Sequence, residues 1–169
     1  MPTKETYPAS DLVANQVRNS GASNASCVDD NPGNDGDATY NGQTGPGSAE
    51  DVYNMTTDDI PAGSTSITVR VYGTFRWDGV NEPSGPELVL YYDGASHYSD
   101  VKAPTTTYTE YYYDWAGLTV SQANAAKAGS RIYGTGGPPP TEGRATAIRK
   151  VVTYTEPAAS TFVPRINWY

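Results

Sequence analysis

A chain of 169 residues fits one domain, and a domain of that length buries about two thirds of its unfolded surface, enough for a real core. Hydrophobic residues make up 37%, while Gly (17) and Pro (13) are abundant, so much of the chain must be turns, loops or extended arms. The net charge of −8 argues against nucleic acid as a partner, because phosphate contact depends on clustered Lys and Arg.

The charge is unevenly placed. Residues 1–126 hold 17 acids and 5 bases, a net of −12, whereas residues 127–169 hold 2 acids and 6 bases, a net of +4. The plain reading is a solubilising surface; the sharper one is an acidic body whose basic end docks on a neighbour's acidic surface. Fourteen Tyr stand against two Phe, and a ring with a polar tip suits half-buried strand faces and protein interfaces. The single cysteine, Cys27, excludes an intrachain disulfide. "MPTKETYPASDL" lacks the apolar run of a secretory signal, and no run of about 18 apolar residues offers a membrane span. The expectation is a soluble protein made in the cytosol, with no membrane partner.

In chain order, residues 1–36 read as a mostly irregular N-terminal arm with an Asp-rich loop, because "NSGASNAS" and "DDNPGNDGD" are turn formers. Residues 37–156 read as a β-sandwich domain. "DVYNMTT" is a short strand. In "SITVRVYGTFRW", Ile67, Val69, Val71, Phe75 and Trp77 share one face and Thr68, Arg70, Tyr72, Thr74 and Arg76 the other, the period of a half-buried antiparallel strand. Gly73 in the apolar row marks a bulge or a close backbone approach. "ELVLYYDG" is apolar on both faces, hence central, and "DGAS" turns it into a hairpin.

"TTTYTEYYYDW" alternates again, with Thr109, Tyr111, Tyr113 and Trp115 opposed to Tyr108, Glu110, Tyr112 and Asp114. "LTVSQANAAKAGSRIY" then carries the chain's one helix signal. Thr119 and Gln122 are spaced as a capping box, and Gly129 stands where the helix would end, leaving Val120 to Ala128. Two turns are too short to stand alone in water, so this helix should plug the open end of a sandwich. "RIYGT" and "RATAIRKVVTYTE" close the strand set, and residues 157–169 form a Pro-punctuated C-terminal arm. The fold class expected is all-β: an antiparallel, jelly-roll-like sandwich with one short helix and extended terminal arms.

Enzymatic constellations are scarce. His97 is the only histidine and reads as a surface residue; Cys27 has no partner motif; "GTGGPPP" lacks the Lys and Ser/Thr of a phosphate loop. The Glu82/Glu87 pair carries no glycosidase signature. The chain is therefore expected to be no enzyme and to need no cofactor. The one metal candidate is "VDDNPGNDGDATY", where Asp29, Asp30, Asn31, Asp35 and Asp37 supply the oxygens Ca²⁺ prefers, without the EF-hand spacing. Tyr111, Tyr112, Tyr113 and Trp115 suit core and subunit packing or a sugar-stacking platform, and alternation sends Tyr112 to the face away from the others.

"YPASDLVANQV" and "ASCVDDNPGNDGDATYN" resemble the opening of β-sandwich structural proteins of tailed-phage virions, in which a Pro-x-x-Asp segment precedes an Asp-rich loop and a D-x-x-Y strand. "DDIPAGSTSITVRVYGTFRW", "TEYYYDWAGLTVSQANAAKAGSRI" and "RATAIRKVVTYTE" resemble their long strand, tyrosine strand with short helix, and closing strand, so the likeness spans roughly residues 7–156. Leu118 stands where that pattern usually has Trp. The resemblance implies a capsid decoration (cement) protein on the outer capsid surface of the virion, assembled in the host cytoplasm. Its implied partners are the major capsid protein and further copies of itself, with a trimer as the expected oligomer. A carbohydrate-binding or host-adhesion module, and a tail or fibre component, are the alternatives. The residues expected to bind the partner are Phe162, Val163, Arg165, Ile166, Trp168 and Tyr169, too apolar and too rich in hot-spot types for a free tail.

Overall fold

The strand with the clearest alternation lies between two others in the larger of two packed antiparallel sheets. A computed structural model describes residues 1–29, 38–57, 59–78, 85–103, 105–135 and 142–158. The first strands are β1 (Thr3–Thr6), β2 (Pro8–Ala14), β3 (Val17–Arg18), β4 (Asn41–Gln43) and β5 (Gly47–Met55). Then come β6 (Thr65–Asp78), β7 (Glu87–Tyr92), β8 (Ala95–Tyr98) and β9 (Thr109–Ala116). The helix α1 (Val120–Ala125) leads into β10 (Lys127–Gly134) and β11 (Glu142–Thr155).

One sheet has six strands in the order β3-β4-β11-β6-β9, with β1 also paired to β11; the other has five in the order β2-β5-β10-β7-β8. The run β4 to β11 thus gives β4-β11-β6-β9 facing β5-β10-β7-β8, the wrap of a jelly roll. The core between them holds Ile67, Val69, Val71 and Phe75 of β6, Leu88 and Leu90 of β7, and Ile148, Val152 and Tyr154 of β11. Each such side chain, fully buried, contributes about 1.5–3 kcal/mol of apolar transfer.

Gly73 is a close approach and not a bulge. Its register with β9 is unbroken, and a methyl group there would lie 2.5 Å from the Phe75 ring. The bulge sits opposite, on β11, where the register against β6 shifts between Ala145 and Ala147. The β7–β8 hairpin turns at Asp93 and Gly94, with φ of 52° and 79°, the paired left-handed conformations that match the twist of adjoining strands.

Two expectations are corrected. Within the stretch read as mostly irregular, residues 3–18 are largely strand: β1 pairs with Thr153–Lys150 of β11, and β2 pairs with β5. The strand signal in "TKET" is hidden because three of its four residues are exposed, so no apolar alternation exists to read. The helix ends at Ala125, three residues early. Ala126 is extended (φ −64°, ψ 136°), and from Lys127 onward the ladders to β5 and β7 claim the chain, placing Gly129 inside β10. The capping box forms as expected, Thr119 and Gln122 each bonding the other's backbone N–H. α1 joins β9 of one sheet to β10 of the other, and its Ala123 is fully buried in the core. No helix among the described residues is long and apolar enough to cross a membrane.

Candidate functional site

The polar half of the β6 alternation becomes the outer face of the six-stranded sheet, where arginines, tyrosines and carboxylates interlock. Arg70 grips Asp114 of β9 with two nitrogens, each at 2.7 Å, and donates to the Tyr72 hydroxyl at 3.2 Å. Its guanidinium also lies 4.2 Å from the Tyr112 ring centre. Arg149 of β11 reaches Glu5 of β1 at 2.8 Å and Glu110 of β9 at 3.0 Å while its guanidinium stacks 3.5 Å from the Tyr72 ring. Four strands, β1, β11, β6 and β9, are thereby tied across their solvent side.

A second lattice continues the face toward β4. Arg144 bonds Asp78 at 2.8 Å and Glu142 at 2.7 Å and lies 4.4 Å from the Tyr40 ring, while Arg76 bonds Asp78 at 3.2 Å. Bonding to Arg70 holds the Asp114 carboxyl below its ordinary pKa, and the same bond keeps Arg70 charged far above any working pH. Such a face offers planar rings and guanidinium groups whose rotamers are already fixed, so ordering them on contact with a partner costs little entropy.

The outer face of the five-stranded sheet repeats the theme on a smaller scale. Tyr98 donates to Glu50 at 2.6 Å, Ser96 to the same carboxylate at 2.7 Å, and Tyr133 to Glu87 at 2.8 Å. Arg131 lies 3.8 Å from the Tyr98 ring and is paired with Glu87. The Glu50 bond, and burial after it, pushes the Tyr98 hydroxyl pKa up.

A buried carboxylate fixes the chain between β2 and β4 to the sandwich. Asp51, fully buried, accepts from the backbone N–H groups of Asn15 and Gln16 at 2.7 and 2.8 Å, from Asn24 Nδ2 at 2.7 Å and from the Tyr53 hydroxyl at 3.1 Å. Gln16 donates onward to Ser130 O, and Asn41 to Asn24 O and Tyr53. Burial raises the Asp51 pKa, and its four donors pull it back only in part. At the other end of the sandwich, buried Lys150 donates to Ala126 O, the carbonyl beyond the last helical turn, on the wall of a cavity of about 280 Å³.

The C-terminal residues expected to bind a partner, Phe162, Val163, Arg165, Ile166, Trp168 and Tyr169, lie outside the described residues. So do Asp30, Asn31, Asp35 and Asp37 of the calcium candidate. Asp29 is described: it is exposed, and its backbone bridges Ala147 beside the β11 bulge. No three His, Cys, Asp or Glu side chains among the described residues are grouped as metal ligands. Cys27 is buried, and its Sγ donates to Ser20 O at 2.9 Å; burial pushes its thiol pKa up, which suits a structural thiol and not a nucleophile. His97 stacks on Tyr92 at 4.0 Å. Glu87 is tied to Arg131 and Tyr133, and Glu82 lies outside the described residues.

The aromatic run splits as alternation required. Tyr111, Tyr113 and Trp115 pack partly against the core, and Tyr112 stands on the outer face, 53% exposed. Sequence reasoning placed Arg70, Tyr72 and Tyr112 on one polar side of their strands but did not single out Arg70 and Tyr72, because their partners, Asp114 and Tyr112 of β9 and Arg149 of β11, are remote in the chain. Scans against protein-family models and curated proteins find no match to this chain.

Proposed function

We propose that the chain is a structural protein of a tailed-phage virion, a capsid decoration protein that bridges subunits of the major capsid protein on the outer shell and has no reaction of its own. The observation that carries this reading is the Arg–Tyr–carboxylate face of the six-stranded sheet. Tyr and Arg are the types that dominate interface hot spots, and here they are held rigid before any partner arrives. The resemblance over residues 7–156 and the net charge of −8 agree with an outer-surface position. A protein that binds only the assembled shell stabilises it by mass action.

A second reading, a glycan-binding or host-adhesion module, draws support from Tyr112 and Tyr98, exposed to 53% and 40% on the two outer faces. Against it, Arg70 already covers the Tyr112 ring and Arg131 the Tyr98 ring, leaving each at most one free face for a sugar. Quantitative mass spectrometry of purified particles tests the first reading. Hundreds of copies per particle are expected, with occupancy lowered by a joint R70A/Y112A substitution that leaves the fold intact. A few to dozens of copies would point to a tail or fibre component, and none would end the virion reading. A glycan array read by Trp fluorescence tests the second.

A further inference from the structure

Five strands have a single neighbour, and four of them are blunted against adding another, β1 by its four-residue length and Lys4. β3 has two residues, β8 has four, and β2 starts at Pro8 and slips register twice against β5. β9 is different. It runs eight residues, contains neither Pro nor Lys, and keeps an unbroken register against β6 from Thr68↔Ala116 to Phe75↔Thr109. The two acids on this strand, Glu110 and Asp114, are each paired with an arginine, Arg149 and Arg70, which weakens but does not cancel their repulsion of another acid.

The phase of the free edge follows from one bond. Gly117 N–H donates to Ile67 O at 3.0 Å, one step past the β6–β9 ladder, so the odd-numbered residues of β9 direct their backbone groups at β6. Glu110, Tyr112, Asp114 and Ala116 therefore turn their N–H and C=O groups outward, and no described residue bonds to them there. Four residues in succession with unmet backbone groups form a template for strand addition.

We propose that β9 pairs antiparallel with β9 of a second copy of this chain, joining two six-stranded sheets edge to edge. Charge selects the register. Tyr112 opposite Tyr112 of the second copy would set Glu110 against Asp114, a like-charge pair. A slip that centres the two-fold axis on Tyr113 sets Tyr112 against Asp114 and Glu110 against Ala116. On the inner side it opposes Tyr113 to Tyr113 and Tyr111 to Trp115, aromatic cross-strand pairs of the stabilising kind. The slip the other way leaves Trp115 with no opposite strand residue. An isologous contact closes at two copies, so a three-fold assembly would need a different surface. The pairing goes beyond the virion reading and does not depend on what the outer face binds.

Sedimentation velocity of the full chain across a concentration series tests it. The wild type should sediment as a dimer. Y112P removes an N–H that faces away from β6, so the β6 ladder keeps all its bonds while the edge is broken. A116E places an acid opposite Glu110 of the second copy without touching the core. Each should weaken dimerisation about ten-fold or more, equal to about 1.4 kcal/mol, with an unchanged circular dichroism spectrum. Should Y112P fail to fold, A116E alone decides. A monomeric wild type overturns the proposal, whether residues 159–169 or a strand of another protein holds the edge. A trimer, or a dimer that A116E leaves unweakened, overturns it equally.

Discussion

The guanidinium of Arg149 lies 3.5 Å from the ring centre of Tyr72 while its two terminal nitrogens reach Glu5 and Glu110, so one side chain joins β1, β11, β6 and β9. Each ion pair is half in water, the acids being 43% and 49% exposed, and is worth at most a fraction of a kcal/mol; the stacked ring adds about 0.5–1 kcal/mol. R149A should lower stability to urea by about 1–2 kcal/mol. R149K should recover less than half of that, because an ammonium cannot stack flat and bridge two carboxylates at once. Equal stability of R149K and wild type would show that charge alone holds the strands.

Asp51 carries a heavier load because its donors are out of water. Alanine there strands the Gln16 amide, the Asn24 side chain and the Tyr53 hydroxyl, at about 1–3 kcal/mol for each buried group left unpaired. D51A is expected to cost about 3 kcal/mol or more, against about 1–2 kcal/mol for Y53F, which removes a single hydroxyl. Amide exchange should quicken first at Asn15 and Gln16. Exchange rising uniformly through both sheets would instead make Asp51 part of the global core.

Asp51 and Asp114 pull stability in opposite directions with pH. Burial raises Asp51 above its ordinary 3.8, so the fold favours the protonated form, and its contribution declines as pH rises from 3.8 through the folded value. Arg70 lowers Asp114, whose contribution is whole above 3.8 and is lost as pH falls through the depressed folded value. Against wild type, D51N should therefore gain relative stability as pH rises above 3.8, whereas R70M should lose least at the acid end. Urea midpoints measured between about pH 3 and 7 give both differences; curves parallel to wild type would refute the assignments.

What was legible in the chain was local. The two-residue period of β6 and β9 showed which side of each strand meets the core, and Thr119 with Gln122 announced the start of α1. The end of α1 is not legible, because Gly129 is a glycine for strand packing, a demand set by β5, which is remote in sequence. β1 escaped notice because an exposed edge strand has no apolar period to display. The outer face was half legible: Arg70 and Tyr72 share a side, yet Arg149 meets Glu5 across 144 positions. The Asp51 cluster likewise gathers Asn15, Gln16 and Asn24 from 27 to 36 positions away, with no pattern to announce it.

Gly129 gives the sharpest test of that strand packing. A methyl group at this position would lie 2.0 Å from the Asp51 carbonyl oxygen and 2.9 Å from Val52 Cα. Both are backbone atoms of the paired strand and cannot retreat without parting the β5–β10 ladder. At Gly73 the obstructing atoms are instead side chains, the Phe75 ring and a Leu88 methyl, which can shift. Gly94 has nothing within 4 Å, so alanine there meets only the left-handed strain of φ 79°, about 1–2 kcal/mol. Alanine substitutions should thus rank G129A as most damaging, at about 3 kcal/mol or more, then G73A, then G94A. Urea unfolding gives the order, and hydrogen exchange should locate the G129A damage in β5 and β10. If G129A proved no worse than G94A, β5 and β10 would not approach as closely as their backbone geometry requires.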